Sequence, residues 1–341
     1  MSTVLVAGGA GYVGSHAVKA LAGAGYDVVV YDNLVAGHRE AVDRLVKAFP
    51  QRRITFVQGD ILDGALVRRT LESSGASAVM HFAALLSVAG SVREPFAYYR
   101  TNLTGTVTVL EAMAAVGVKH FVFSSTCATF GEPSTPTIDE THPQRPINAY
   151  GETKLAVERA LPHFEIAAGI RAVALRYFNA SGADPDGLIG EDHHPEEHII
   201  PRAIAAVGGG EGLAIFGDDY PTPDGTCVRD YVHVMDLAAA HLAALTRLES
   251  GGPSANFNLG SGHGMSVREV LDAVGQVAGR PVPHTIGPRR PGDPARLVAS
   301  SQLAQRELGW VPRLDLQAIV RTAWTWHTSH PDGYGRHARH A

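Results

Sequence analysis

Along the first half of the chain, short β-branched and aliphatic runs alternate with longer stretches in which apolar positions recur every three or four residues. The runs Thr3–Ala7, Val28–Asp32, Ile54–Gln58, Ala78–Phe82, His120–Ser124 and Ala172–Arg176 read as buried strands. Between them, Tyr12–Ala22, Asp63–Glu72, Tyr98–Ala115 and Tyr150–Ala168 carry the helical period. Such alternation predicts an α/β fold with a parallel sheet covered on both faces, doubly wound through right-handed crossovers.

After Arg176 the rhythm breaks. Residues 179–195 are rich in Gly, Pro, Asp and His and read as a loop. Strand patterns at Leu213–Phe216 and Asn256–Leu259 bracket a helix pattern at Val234–Leu248. A helix at Val267–Gly279, a strand near Val282–Ile286 and closing helices at Ser301–Leu308 and Asp315–His327 follow. The expected organisation is a larger domain over residues 1–177 with a returning segment at about 233–260. A smaller α/β C-terminal substrate lobe is built from 178–232 and 261–335, and residues 336–341 form a tail.

Composition narrows the class. With 45% hydrophobic and 18% charged residues, the 341-residue chain is an ordinary globular enzyme by composition. A net charge of −5 argues against nucleic acid or an anionic membrane surface as partner, so any anion site must be built locally. Two cysteines, Cys127 and Cys227, exclude a disulfide framework and point to a reducing compartment. No basic segment or long apolar run precedes Thr3–Ala7, so neither a signal peptide nor a membrane span is expected; the expected location is the cytoplasm. The seventeen histidines include His193-His194 and a run from His327 to His340, but no HExxH-type spacing, and no metal is expected.

Gly8, Gly11 and Gly14 follow a Gly-x-x-Gly-x-x-Gly spacing between the first strand and first helix. Glycine permits positive φ and removes a Cβ that would obstruct a pyrophosphate, and the helix start offers free N–H groups. Asp32 closes the second strand eighteen positions beyond Gly14, near the interval of a ribose-binding acid. Its carboxylate can accept both ribose hydroxyls and repels the extra phosphate of NADP, which favours NAD. Asp60, after the third strand, reads equally well as an adenine contact or a helix N-cap.

Tyr150 and Lys154 stand four apart on one helix face. A free phenol, of pKa about 10, is a poor base at neutral pH. A nearby ammonium and a cationic nicotinamide ring would stabilise the phenolate. The chain has only four lysines and ten tyrosines, so a chance Tyr-x-x-x-Lys is expected only roughly 0.1 times. Upstream, the fifth strand ends in Ser124, Ser125 and Thr126, and strand ends of a parallel sheet open into the ligand crevice. Thr126 could share a proton with Tyr150, or serve as a turn cap.

Together the motifs GGAGYVGSH, YDNL, GDI, HFAA, FSSTCATFG, YGETK, RYFNASGA, AIFGDDYPTPDGTCVRDYVHV, FNLGSG and RRPGD resemble the extended short-chain dehydrogenase/reductase family. Within it they are most similar to its sugar-nucleotide epimerases, from about Val4 to Trp326. The resemblance implies a Rossmann sheet and epimerisation at carbon 4 of a UDP-sugar (UDP-galactose/UDP-glucose) through a 4-keto form, with tightly bound NAD and a homodimeric assembly. It implies that Gly8, Gly11, Tyr12, Val13 and Gly14 hold the pyrophosphate, and Asp32 with Asn33 the adenosine ribose. Asp60, Ile61, Phe82, Ala83 and Ala84 would line the cofactor path, with Asn102, Ser124 and Tyr177 also on the cofactor. Tyr150 would be the base, Lys154 the partner of its phenolate and of the cofactor ribose, and Thr126 the auxiliary hydroxyl, with Tyr150 and Lys154 both also on the cofactor. Phe178, Asn179, His198, Ile199 and Phe216 would meet the substrate, Arg229 and Arg290 its diphosphate and Asp293 its uridine ribose. The two arginines also fit unaided, because a diphosphate in an acidic protein needs forked cationic donors.

The departures are specific. Leu86 stands where many relatives carry lysine, Val88-Ala89-Gly90-Ser91 replaces a Val-Gly-Glu-Ser pattern, and Phe130 replaces a tyrosine. His198 replaces an asparagine, and Leu297 a tyrosine that restricts the sugar pocket in some relatives. UDP-xylose/UDP-arabinose and UDP-N-acetylhexosamines therefore remain open as substrates. A 4,6-dehydratase would need acidic residues after Thr126, where Cys127 and Ala128 stand. A non-catalytic NAD-sensing module could dispense with Tyr150 or Lys154, and both are present.

Overall fold

The computed structural model describes residues 2–210, 212–290 and 293–335. Positions 336–341, Pro291 and Gly292, from the tail and the RRPGD motif, lie outside the described residues.

Six strands are laid down in the first half: β1 (Thr3–Ala7), β2 (Asp27–Asp32), β3 (Ile54–Gln58), β4 (Ala78–His81), β5 (His120–Thr126) and β6 (Arg171–Tyr177). Seven more follow: β7 (Asn179–Ser181), β8 (Leu213–Phe216), β9 (Val228–His233), β10 (Ala255–Leu259), β11 (Gly264–Ser266), β12 (His284–Gly287) and β13 (Arg296–Leu297). The main sheet is parallel throughout, in the order β10-β6-β5-β4-β1-β2-β3. Strand order reverses around β1, which opens the crevice at the carboxyl ends of β1 and β4.

Why these runs are uniformly apolar follows from the layers. Val4 and Val6 of β1 face one side, with Ala17, Leu21, Leu45, Leu237 and Ala244. Leu5 and Ala7 face the other, with Val67, Leu71, Val109, Met113, Val157 and Leu161. Both faces are dry, so alternation disappears from the sequence. A separate core joins Ile200, Ile204, Leu213, Ile215, Val270, Val274, Ile319 and Ala323. Around it stand the pair β8–β12 and a small mixed sheet in which β9 pairs with β7, β11 and β13.

Four departures from the sequence reading have physical causes. The helix Arg39–Ala48 between β2 and β3 was not expected; it buries only Ala41, Val42 and Leu45, and most of its other positions are charged. The stretch read as one helix over 98–115 is instead a short helix, Pro95–Tyr98, a π-helical turn, Tyr99–Thr104, and a regular helix, Gly105–Val116. A side chain on Gly105 would stand 2.6 Å from Ile61 Cδ1, so this helix comes unusually close to the chain beneath it. Strand β9 escaped the reading because Arg229 and Asp230 interrupt its apolar run, although Asp230 is fully buried. The Asp230 carboxylate accepts from the amides of Ser261, Gly262 and Ala299, and so pins three segments together. The helix Ile199–Val207 also follows a stretch read only as loop. No helix among the described residues is long and apolar enough to cross a membrane.

Four buried imidazoles make the fold acid-sensitive. Burial lowers His81 to about 3 and His16, His233 and His241 to about 4. His16 Nε2, His81 Nδ1 and His241 Nε2 have no partner among the described residues, as suits neutral rings. The unfolded chain takes up these protons near pH 6.5 while the folded chain refuses them. Stability is therefore complete above that pH and falls as pH drops toward 4, by about 1.4 kcal/mol per pH unit for each such ring. Urea midpoints measured at pH 7 and pH 5 should differ strongly in that direction; equal midpoints would refute the neutral assignment.

Candidate active site

The chain leaves β1 through Gly8, turns with φ +79° and enters the helix Tyr12–Gly23, whose N-cap is Gly11. The three glycines serve different ends. A Cβ on Gly8 would lie 2.4 Å from the amide nitrogen of Ala83, and one on Gly14 only 2.1 Å from the Gly8 carbonyl oxygen. Both positions are fixed by the packing of turn against helix and β4. Only Gly11 faces open space, with nothing nearer than the Gly8 oxygen at 3.4 Å. All three line the cleft, and at Gly8 and Gly14 the turn's own packing is a further reason for glycine. No side chain caps this helix, and Gly11, Tyr12 and Val13 at its start line the cleft, where an anion cradle would form.

Asp32 ends β2 with its carboxylate accepting from the amides of Ala10 at 3.0 Å and Leu34 at 2.8 Å. Burial raises its pKa, and the two amides oppose that rise. Asn33 donates to the Asp60 carboxylate at 2.9 Å, and Asp60 also accepts from the Leu62 amide. Asp60 is not a helix N-cap, because Asp63 fills that role, bonding the Leu66 amide at 2.9 Å. The set fits the ADP half of NAD: an uncapped helix start and a glycine turn for the pyrophosphate and a carboxylate for the ribose hydroxyls.

Those residues share one cleft of about 580 Å³ with the opposite group. Gly8, Gly11, Tyr12, Val13, Gly14, Asp32, Asn33, Asp60, Ile61, Phe82, Ala83 and Ala84 line one end. Thr126, Tyr150, Tyr177, Phe178, Asn179, His198, Arg229 and Asp293 line the remainder. Tyr150 sits in the first turn of the helix Ala149–Ala168, whose N-cap Asn148 accepts from Gly151 at 2.8 Å. Burial raises the phenol well above its usual pKa, neighbouring Tyr177 adds to this, and a hydrogen bond with Thr126 opposes it. Thr126 Oγ1 also caps the Ala128 amide at 3.1 Å, which fits its reading as a turn cap.

Six expected residues stand outside the cleft wall. Lys154 is 2% exposed and lies behind it, donating to the Ser124 carbonyl at 2.9 Å and standing 4.8 Å from the Phe123 ring centre. Burial lowers its ammonium to about 7. In the protein alone, burial is the largest influence on both groups, raising the Tyr150 phenol and lowering the Lys154 ammonium. Ser124 spends its hydroxyl on the Tyr177 hydroxyl at 2.6 Å. Asn102 is buried and holds the loop after β4, accepting from the Leu85 amide at 2.8 Å and donating to the Leu85 carbonyl at 3.1 Å. It shapes the cleft without facing it. Ile199 begins the helix after His198 and packs on the second core. Arg290 lies 3.9 Å over the Phe216 ring, away from the cleft wall.

Arg229 and Asp293, expected on two parts of a ligand, bind each other, and Arg229 also donates to the Val228 and Pro294 carbonyls at 2.8 Å. Cys127, Ile147, Asn148 and His193 line the cleft without having been anticipated. Of these, only Asn148 carried a local signal, as an N-cap residue just before Tyr150. The reading against a metal rested on spacing; yet Glu191, His193, Glu196 and His198 bring their ligand atoms within 4.8 Å of one another.

The fold and this cleft define a dinucleotide-binding α/β enzyme with a half-buried tyrosine at the far end of the cofactor groove. The chain belongs to the NAD dependent epimerase/dehydratase family, whose pattern matches residues 4–260. It is 52% identical to the UDP-glucose 4-epimerase of Lacticaseibacillus casei over 335 residues, 98% of this chain and 99% of that protein. The structure of UDP-glucose 4-epimerase from Brucella ovis in complex with NAD superposes with a TM-score of 0.90 at 49% identity, covering 95% of this chain and 98% of that one. That of UDP-glucose-4-epimerase from Stenotrophomonas maltophila, with bound NAD and formylated UDP-arabinopyranose, gives 0.94 at 39% identity over 97% and 99%.

Proposed function

We propose that this chain epimerises carbon 4 of a UDP-sugar, UDP-galactose and UDP-glucose foremost, with NAD retained and Tyr150 as the base. The observation that carries the reading is one continuous cleft joining the Gly11 cradle to Tyr150 and Thr126, with no acid at Cys127 or Ala128. A dehydratase would require such an acid to expel water.

NAD, when bound, supplies the hydride acceptor and donor at carbon 4, and its ring charge favours the phenolate. Tyr150 takes the proton of the 4-hydroxyl and later returns it, with Thr126 bonding the phenol oxygen. Lys154 acts from behind through the Ser124 backbone. Ser124 and Tyr177 bond each other at 2.6 Å and stiffen the wall between lysine and cleft. His198, Arg229 and Asp293 offer polar donors and an acceptor for the nucleotide portion. Firm binding there and loose binding at the sugar let the 4-keto form turn over without leaving, so remote binding energy serves retention.

The proposed division of labour is cofactor on 1–177 with 233–260, and UDP-sugar on 178–232 with 261–335. A cytoplasmic homodimer accompanies this reading on the resemblance alone. Purified protein with no added cofactor should convert UDP-galactose to UDP-glucose in a coupled dehydrogenase assay. Failure on every UDP-hexose and UDP-pentose tested would overturn the proposal.

A further inference from the structure

On the cleft wall beyond Tyr12, the loop between β7 and the helix Ile199–Val207 gathers two carboxylates and two imidazoles. Glu191 is 3% exposed at its side chain, and its Oε1 receives both rings: His193 Nδ1 at 3.1 Å and His198 Nδ1 closer still. Glu196 stands 4.0 Å from His193 Nδ1 and 3.9 Å from His198 Nδ1. Among the described residues, every ion pair of Glu191 and Glu196 is with these histidines, and no Lys or Arg joins them.

The loop is held from several sides. The Glu191 carbonyl accepts from Trp326 Nε1 at 2.9 Å, and the Asp192 carbonyl contacts His38 Nε2 at 2.9 Å. The Asp192 carboxylate accepts from the Tyr334 amide at 2.9 Å. The four side chains are thus gathered before any ligand arrives, which lowers the ordering cost of binding.

We infer that Glu191, His193, Glu196 and His198 form a binding site for one divalent cation of borderline softness, represented by Zn²⁺. Two imidazole nitrogens and two carboxylate oxygens are the donor set that Zn²⁺ takes tetrahedrally, whereas Mg²⁺ and Ca²⁺ prefer oxygen alone. Tetrahedral zinc with bonds of about 2.0–2.2 Å needs ligand atoms roughly 3.3–3.6 Å apart. To reach it, the widest pair must close from at most 4.8 Å while Glu191 Oε1 and His198 Nδ1 move apart. The cation would replace the protons now shared between Glu191 and the rings, and would neutralise two carboxylates that otherwise repel. With Nδ1 of His198 engaged, its Nε2 remains for the cleft. The site does not depend on the proposed reaction.

The test uses the full chain, stripped by chelator, with His337 and His340 both changed to Ala so that the C-terminal histidines cannot compete. Calorimetric titration with Zn²⁺ at neutral pH should show one equivalent bound per chain. Adding His193→Ala or Glu196→Gln should weaken binding at least tenfold while circular dichroism stays unchanged. No saturable uptake, or affinity unaffected by both substitutions, would overturn the proposal. Crystals of the unaltered chain soaked in Zn²⁺ give a readout independent of variant folding: an anomalous peak between Glu191 and His193 supports the site, and its absence sinks it.

Discussion

Tyr150→Phe should fold and retain NAD yet lose turnover of UDP-galactose by about 10²–10⁴-fold, the span a positioned acid–base group contributes. The substitution removes one oxygen and keeps the ring. Tyr150 lines the cleft with Thr126, whose side chain opposes the rise of the phenol's pKa. The NAD cradle lies at Gly11 and Asp32, on other strands, so cofactor content released by acid should match the unsubstituted chain. Initial rates by coupled assay, normalised to that content, decide the matter. Unchanged turnover would remove Tyr150 from the chemistry, and loss of NAD would show that its hydroxyl is needed for binding.

Gly14→Ala should yield protein whose retained NAD falls more than tenfold. The added Cβ would sit 2.1 Å from the Gly8 oxygen and 2.9 Å from the Gly8 carbonyl carbon, both backbone atoms that cannot swing aside. Gly8 in turn is wedged against Ala83, so the turn cannot retreat as a unit. Either the helix start shifts or the turn opens, and both misplace the amides of Tyr12 and Val13. Absorbance of the purified protein, with thermal unfolding alongside, measures both consequences. Full NAD occupancy would refute the rigid-turn account.

The glycine turn, Asp32 and the Tyr150 helix were legible because each is local: a strand, a turn and a helix cap lie within about twenty residues. The strands were legible because both sheet faces are buried, leaving apolar runs without alternation. Other features depend on contacts far apart in the chain. Asn102 looks like any helical polar residue until β4 brings Leu85 beside it. Lys154 has the expected spacing, but its desolvation depends on β5 and could not be read from that spacing. Arg229 and Asp293 carry opposite charges 64 positions apart, and nothing local announces that they pair. The Glu191–His198 cluster was hidden because its donors follow no helical metal motif; a loop anchored by Trp326 gathers them.

Strand β10 pairs with β6 in register, Leu259 against Tyr177, and the Phe178 amide donates to the Leu259 carbonyl at 3.2 Å. During synthesis, the first six strands emerge well before that partner. The edge of β6 that carries Tyr177 therefore stays unpaired until the intervening segment and Leu259 have left the ribosome. At equilibrium such a long closure adds little, because its entropy grows only logarithmically with loop length. In time it matters more, since non-local pairing slows folding and an open strand edge invites association. The cofactor turn at Gly8–Gly14 is thus complete early in the chain's life, while the wall facing Tyr150 is among the last parts to be framed.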